Sequence, residues 1–367
     1  MKRLLLMFAA LLFAFLLGAA APAQAEGGGA ADTLVLGGES AGEILALAQR
    51  PELRYIDATA STEYEALLRL REKLPDCEIR WEYEFQGVRY PSDTTELKVT
   101  DLTGLEEALR YLPALTDVDL LEADAKLEDL DRFDEIRPDI FWLWEFTFQG
   151  WQRIRTDIRV YSSLNGYQTT RSLDYYYPIV NYCKHLRALD LGHNSITDIT
   201  PIGELKELEV LILADNFITD ASPLAGLHNL VFLELFMNYG IEDYSFLNEL
   251  TQLKDLNLCY CRTLEHLDFL ENMPALEFAM FKRTAVSPEE FAQWQERLPD
   301  ARLVLADGDI ESSGSGWRMA GRNKQVRTAF THWRDIVHYE HYNEFDFKIN
   351  GGVFPITDFF REDDPWW

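Results

Sequence analysis

One short phrase is written four times between Leu186 and Leu276: HLRALDLGHNSITDITPIGELK, ELEVLILADNFITDASPLAGLH, NLVFLELFMNYGIEDYSFLNELT and QLKDLNLCYCRTLEHLDFLENM. Leu186, Leu208 and Leu230 are 22 residues apart, and Leu253 and Leu276 follow at intervals of 23. The pairs Leu189/Leu191, Leu211/Leu213, Leu233/Leu235 and Leu256/Leu258 keep step, as do Asn194, Asn216 and Asn238. A unit this short cannot bury its apolar side alone, so a fixed period of this length predicts a solenoid in which each coil is buried by its neighbours. In one coil, Leu186, Leu189 and Leu191 point inward around a short strand. Asn194 turns in where the strand ends, placed to satisfy backbone groups of the next coil that would otherwise be buried unpaired. Ile196, Ile199, Ile202 and Leu205 fill the return path. Pro201 and Pro223 suit the first turn of a short helix, where no donor is lost.

Over 185–283 this pattern resembles the leucine-rich repeat, and Thr-Asp at 197–198 and 219–220 resembles the internalin type of 22-residue coil. The resemblance implies an α/β solenoid with a concave parallel β-sheet. It also implies a bacterial secreted or cell-surface protein whose partner is another protein on a host or neighbouring cell.

The repetition begins before the regular block. Leu34-x-Leu36 and Ile56-x-Ala58 are 22 residues apart, and Leu115-x-x-Val118-x-Leu120 is a further copy. A longer duplication relates LPDCEIRWEYEFQG (74–87) to RPDIFWLWEFTFQG (137–150) at an offset of 63. The strand-like pairs Leu97/Val99 and Ile158/Val160 follow, and Gln86-Gly87 and Gln149-Gly150 read as turns. Ile79, Trp81, Tyr83 and Phe85 alternate with charges, as on a strand with one aromatic face. The helical stretch before each Pro-Asp recurs at 288–300. These features divide the chain into irregular, aromatic-rich coils at 34–183, with small projecting hairpins, and regular repeats at 184–305. A linker follows at 306–316. A C-terminal cap at 317–367 completes the reading, with an amphipathic helix over 323–343 and an aromatic tail that either closes the solenoid end or folds back over the repeats.

Residues 1–25 have a basic start, an apolar run from Leu4 to Leu17 and Ala23-Gln24-Ala25, the pattern of a cleaved secretory signal peptide, with 26–33 as a spacer. The competing reading is an uncleaved anchor over 4–21. No lipid-bearing Cys lies near the cleavage site and no sorting signal stands in the final residues, so an exported protein without a further anchor is expected. With 62 acidic against 34 basic residues the formal charge is −28. Such a chain repels phosphate backbones and anionic lipid, which argues against nucleic-acid and membrane-surface partners. The sequence is silent on oligomeric state.

Alternation places the remaining strand positions on the concave face. There Val210, Ile212, Phe232, Glu234, Phe236, Met237, Asp255, Tyr260, Phe278 and Met280 fall in adjacent columns, with Glu234 and Asp255 in the middle one. They predict a protein-binding patch, unless the C-terminal tail covers it. His332, His338, His341 and Glu340 are the residues most like metal ligands, but 332 lies nearly two turns from 341 and no HExxH is present, so neither a metal nor another cofactor is expected. The acidic run 121–135 lacks the glycine and spacing of a calcium loop and reads as a solvated helix face. No GxSxG or glycine-rich phosphate loop appears, and no catalytic residue is assigned. A non-enzymatic binding role is therefore expected. An exported enzyme with a site in 137–183 or the histidine stretch, and a structural envelope component, are the alternatives. Cys77, Cys183, Cys259 and Cys261 are expected as buried free thiols, with Cys259–Cys261 the one pairing that alternation leaves open.

Overall fold

The computed structural model describes residues 32–148, 152–163 and 171–305. The expected signal peptide, the start of the spacer, the Gln149-Gly150 turn, the linker, the histidine stretch and the C-terminal cap lie outside these residues. The chain forms two compact units. One runs to Thr94 and includes Arg110–Pro113, and the other comprises Thr95–Leu109 and the residues from Ala114 on.

The first unit contains β1 (Thr33–Val35), α1 (Ala41–Ala46), β2 (Tyr55–Asp57), α2 (Tyr64–Lys73), β3 (Glu78–Arg80), β4 (Glu82–Phe85) and β5 (Val88–Pro91). Strands β1, β2 and β3 pair in parallel, with Leu34, Ile56 and Ile79 in register. The 22-residue spacing read from the sequence is therefore one coil. Thr33 already belongs to β1, so the spacer ends one residue early. Ser40 and Glu43 start α1 with a capping box. Ile44, Ile56, Leu67, Leu70 and Trp81 close the core.

The alternating stretch 79–85 is two strands rather than one. The chain breaks at Trp81, and β4 leaves the parallel sheet to pair with β5 as an antiparallel hairpin. Gln86 (φ 50°) and Gly87 (φ 77°) make its turn, both in the left-handed region that a two-residue hairpin loop requires. Trp81 and Ser92 pin the base. The Ser92 N–H donates to Trp81 O at 2.8 Å, and the Trp81 N–H donates to Ser92 Oγ at 3.2 Å.

In the second unit come β6 (Glu96–Lys98), α3 (Leu105–Tyr111), β7 (Asp117–Asp119), α4 (Leu127–Ile136), β8 (Phe141–Leu143), β9 (Glu145–Phe148), β10 (Gln152–Arg155) and β11 (Val160–Ser162). Leu97, Val118 and Trp142 align in a parallel β6-β7-β8 sheet. The duplication then repeats its hairpin, β9 with β10. It is pinned the same way, by Trp144 N–H to Thr156 Oγ1 at 2.9 Å and Thr156 N–H to Trp144 O at 2.9 Å. The acidic run is α4 for most of its length, with Leu130 and Phe133 buried and Glu128 and Glu135 exposed, while Asp131 accepts from the Tyr177 and Tyr182 hydroxyls and Asp134 from Trp142 Nε1, so the face is only partly solvated.

The unit continues with α5 (Tyr177–Tyr182), β12 (Ala188–Asp190), β13 (Val210–Ile212), β14 (Phe232–Glu234), β15 (Asp255–Asn257), β16 (Phe278–Met280), α6 (Pro288–Arg297) and β17 (Arg302–Val304). Strands β11 to β17 form one seven-stranded parallel sheet. Its inward column is Tyr161, Leu189, Leu211, Leu233, Leu256, Ala279 and Leu303. At 158–162 this differs from the reading above. Ile158 takes the place of Leu186 and the inward residue is Tyr161, so Val160 lies on the opposite face beside Ala188. A pattern of Ile-x-Val with an aromatic next to it fits two registers, and pairing with β12 selects one.

Each coil leaves its strand through a left-handed residue: His193 (φ 57°), Asp215 (54°), Met237 (62°), Tyr260 (64°) and Arg283 (62°). Side chains adopt this region at a cost, which a neighbouring constraint must offset. Here the N–H groups of His193, Asp215, Met237 and Tyr260 donate to Ala214, Phe236, Cys259 and Lys282 O, carrying the ladder one coil further. The asparagine that follows satisfies backbone groups as expected, but of its own and the preceding coil. Asn216 Nδ2 donates to Leu191 O and Leu213 O, both at 3.0 Å, and its Oδ1 accepts from Ile196 N–H at 3.0 Å. Asn238 repeats this on Leu213 O, Leu235 O and Ile218 N–H. Short 3-10 turns bring the chain back at Thr200–Glu204, Ser222–Gly226, Ser245–Glu249 and Asp268–Asn272, with Pro201 and Pro223 in first turns. These turns stack so closely that a Cβ on Gly203 would lie 2.8 Å from Pro223 O.

Candidate functional site

The ten residues singled out from the sequence all lie on one face of the β12–β16 region or at its rim. Register sorts them into rows. Val210, Phe232, Asp255 and Phe278 stand opposite one another, and Ile212, Glu234, Asn257 and Met280 form the row beside them. Glu234 and Asp255 therefore belong to two rows rather than to one middle column. Stacking of equivalent positions about one strand spacing apart, ~4.8 Å, makes the rows contiguous.

Burial differs from what a bare concave face would show. Val210 is 0% exposed, Phe232 1%, Asp255 3%, Glu234 5%, Met280 5%, Ile212 7% and Phe278 8%. Phe236, Met237 and Tyr260 are half-buried. The ten residues thus share one face or its rim, and most of them are buried there. Two of its polar neighbours are held locally. Asp190 Oδ1 accepts from Gly192 N–H at 3.0 Å, and Asn257 Oδ1 accepts from Cys259 N–H at 3.0 Å, so each caps its own strand end. Asp190 also accepts from Ser162 Oγ at 3.2 Å across the β11–β12 step.

The accessible edge of the site is aromatic. The Phe236 and Tyr260 rings meet edge to face at 5.4 Å. Phe217 is 61% exposed and Tyr239 38%, both in the column just past the asparagine, with the Arg262 guanidinium 5.2 Å above the Tyr239 ring. Neither residue was singled out from the sequence. The signal was present, because the equivalent place in the first coil holds Ser195, so an aromatic there has no packing duty. His193 Nδ1 lies 2.9 Å from Asp215 Oδ2 at the same rim.

The four cysteines are free and buried. Burial pushes the Cys259 and Cys261 thiols up to about 12 and raises Cys77 and Cys183 as well. Cys261 stands in the asparagine place and points its Sγ at Leu235 O, 3.4 Å away. Among the described residues no group of three His, Cys, Asp or Glu is placed to hold a metal. Among them, too, no helix is long and apolar enough to cross a membrane.

The family described as "Leucine Rich repeats (2 copies)" matches residues 184–226 and 206–249, so these coils are leucine-rich repeats. Among solved structures the chain is similar to internalin C2 of Listeria monocytogenes str. 4b F2365, with 25% identity over 56% of this chain and 76% of that one and a TM-score of 0.32. It is similar to another internalin of that strain, inlF, at 18% identity over 74% and 64% of the two chains, TM-score 0.32. A leucine-rich-repeat protein of Leptospira interrogans follows at 14% identity over 71% and 74%, TM-score 0.28. The leucine-rich-repeat resemblance expected from the sequence is found again in the family match. The comparison with curated proteins finds no match.

Proposed function

We propose that this protein is exported and binds another protein through the outward face of the β12–β16 sheet and its aromatic rim. Leucine-rich repeats of this type generally mediate protein–protein interaction, which supports binding rather than catalysis as the role. The observation that carries the reading is the joining of ordered rows to an accessible aromatic edge. Val210, Phe232 and Phe278 are fixed in register by the ladder, the half-buried Phe236 and Tyr260 rings meet just past the strands, and Phe217 and Tyr239 are exposed beyond them in sequence. Aromatic anchors on a rigid sheet lose little entropy when a partner packs on them, and the carboxylates Glu234 and Asp255 bias that partner toward apolar residues beside Lys or Arg.

The test is capture from cell-surface extracts by the mature protein, compared with Phe236→Ala and Tyr260→Ala variants. Truncating a central anchor typically costs ~2 kcal/mol, about 30-fold in affinity. Loss of capture at an unchanged melting temperature supports the reading. Wild-type capture by both variants, each folded, refutes it.

A further inference from the structure

Three tyrosines of the first unit, distant in sequence, meet ring to ring. Tyr64 is the first residue of α2, Tyr83 lies in β4, and Tyr111 belongs to the 110–113 stretch. The Tyr64 centroid is 5.2 Å from that of Tyr83 and 5.2 Å from that of Tyr111, and Tyr83 and Tyr111 are 5.3 Å apart. Rings at this distance are in direct contact. All three side chains are half-buried, so the cluster is fixed by its surroundings yet open to solvent. Trp81 holds it in place. Its Nε1–H donates to Tyr111 O at 2.8 Å, and its backbone is pinned to Ser92 at the base of the hairpin that carries Tyr83.

Packing here does not ask for hydroxyls. The helices α2 and α4 begin 63 residues apart, the offset of the duplication, and the second copy has Leu127 and Phe146 where the first has Tyr64 and Tyr83. A phenol differs from those side chains in its redox chemistry. It can give up one electron and one proton, leaving a radical with spin on the carbons ortho to oxygen. Among the described residues, the other close tyrosine pairs are less suited to that loss. Tyr161 and Tyr176 are 6.2 Å apart but 1% and 0% exposed. Tyr175 and Tyr176 are 5.3 Å apart, but the buried Tyr176 hydroxyl donates to Asn194 Oδ1 at 3.0 Å. Tyr177 and Tyr182 are 6.1 Å apart, with both hydroxyls on the Asp131 carboxylate.

We infer that Tyr64, Tyr83 and Tyr111 form a site of oxidative cross-linking, where a peroxidase-type one-electron oxidant fed by hydrogen peroxide joins two of the rings. Each of two phenols gives the oxidant one electron and its O–H proton. The radicals couple through one ortho carbon each, and the hydrogen on each joined carbon passes to the phenol oxygen, restoring both aromatic rings. Two C–H bonds are lost, one C–C bond forms, and one peroxide becomes two waters. A bond from Tyr83 to either neighbour ties the β4–β5 hairpin to α2 or to the 110–113 stretch. Like any cross-link between positions distant in sequence, it restricts the unfolded chain and opposes opening of the segment it spans. The binding face of the larger sheet takes no part in this inference.

The test treats the full chain with a haem peroxidase and limiting peroxide. The three tyrosines fall on different tryptic peptides, 55–69, 81–89 and 111–126, so a link between any two joins two peptides. The expected product is a monomer that has lost two hydrogen atoms, shows dityrosine fluorescence and yields a joined pair from these peptides. Each single Tyr→Phe variant leaves one pair and should still cross-link, whereas Tyr64→Phe, Tyr83→Phe and Tyr111→Phe together should abolish the link with far-UV circular dichroism unchanged. In monomer linked through Tyr83, hydrogen exchange over 82–91 should slow roughly tenfold. A link that maps chiefly to other tyrosines overturns the inference, as does dityrosine found only at dimer mass. Undiminished linking in the triple variant, or unchanged exchange over the hairpin, counts against it equally.

Discussion

Replacing Asn216 by Ala tests the framework that holds the sheet in register. The side chain is 2% exposed and links two coils. Its Nδ2 donates to Leu191 O and Leu213 O at 3.0 Å and to Ala214 O at 3.4 Å, while its Oδ1 takes the Ile196 N–H at 3.0 Å. The losses are unequal. Leu191 O keeps Asn194 Nδ2 at 3.0 Å, Leu213 O keeps Asn238 Nδ2 at 2.9 Å, and Ala214 O keeps the His193 N–H at 2.7 Å. The Ile196 N–H, in contrast, loses the acceptor that faces it. One orphaned buried donor costs ~1–3 kcal/mol, and the weakened carbonyl contacts bring the total to about 2–4 kcal/mol. For a unit of this size that corresponds to a fall of roughly 4–16 °C in melting temperature. Asn216→Asp should be worse than Ala, although it is the closer isostere. It keeps an acceptor for Ile196 but turns a charged oxygen toward three carbonyls that expect a donor. Urea unfolding followed by circular dichroism measures both. An Ala variant within ~0.5 kcal/mol of wild type, below the cost of any orphaned donor, or an Asp variant more stable than Ala, would sink the argument.

Two further outcomes follow from burial and capping. With all four thiols free and their ionisation suppressed, native protein at pH 8 should resist a thiol reagent, and denatured protein should consume four equivalents without prior reduction. Two or fewer equivalents would mean that Cys259 and Cys261 are bridged. The second outcome is a dependence on pH. The Thr200 and Ser222 hydroxyls and then their backbone N–H groups hold Asp198 and Asp220 below the usual carboxylate range, and for Asp243 the Ser245 N–H leads. A folded pKa below the unfolded one contributes stability above the unfolded value and loses it as pH falls through the folded value. The melting temperature should therefore decline below about pH 5. Asp220→Asn, which keeps an acceptor oxygen but does not titrate, should flatten the decline, and an unchanged slope would remove the cap from the explanation.

Periodicity alone determined the solenoid, because a 22-residue phrase with leucines at fixed places has one economical way to bury them. The inward columns at Leu189, Leu211, Leu233 and Leu256, the buried asparagines, the prolines in first turns and even the coil at Leu34 and Ile56 follow from spacing and side-chain class. The placement of the ten candidate residues on one face was legible for the same reason, since alternation along a strand assigns every position to a face.

What alternation does not contain is the identity of whatever stands across a face or where a ladder stops. Only the tertiary structure broke 79–85 at Trp81, because leaving the sheet depends on the Ser92 hydroxyl eleven residues away. Only the pairing of β11 with β12 chose Tyr161 over its neighbours for the core. The direction in which Asn216 reaches was likewise set by the stacking, since the preceding coil is the one that turns Ile196 N–H and Leu191 O toward it. The burial of Glu234 and Asp255 is the furthest from the sequence. A residue's exposure is a property of everything packed around it, and alternation along a strand carries no information about those neighbours.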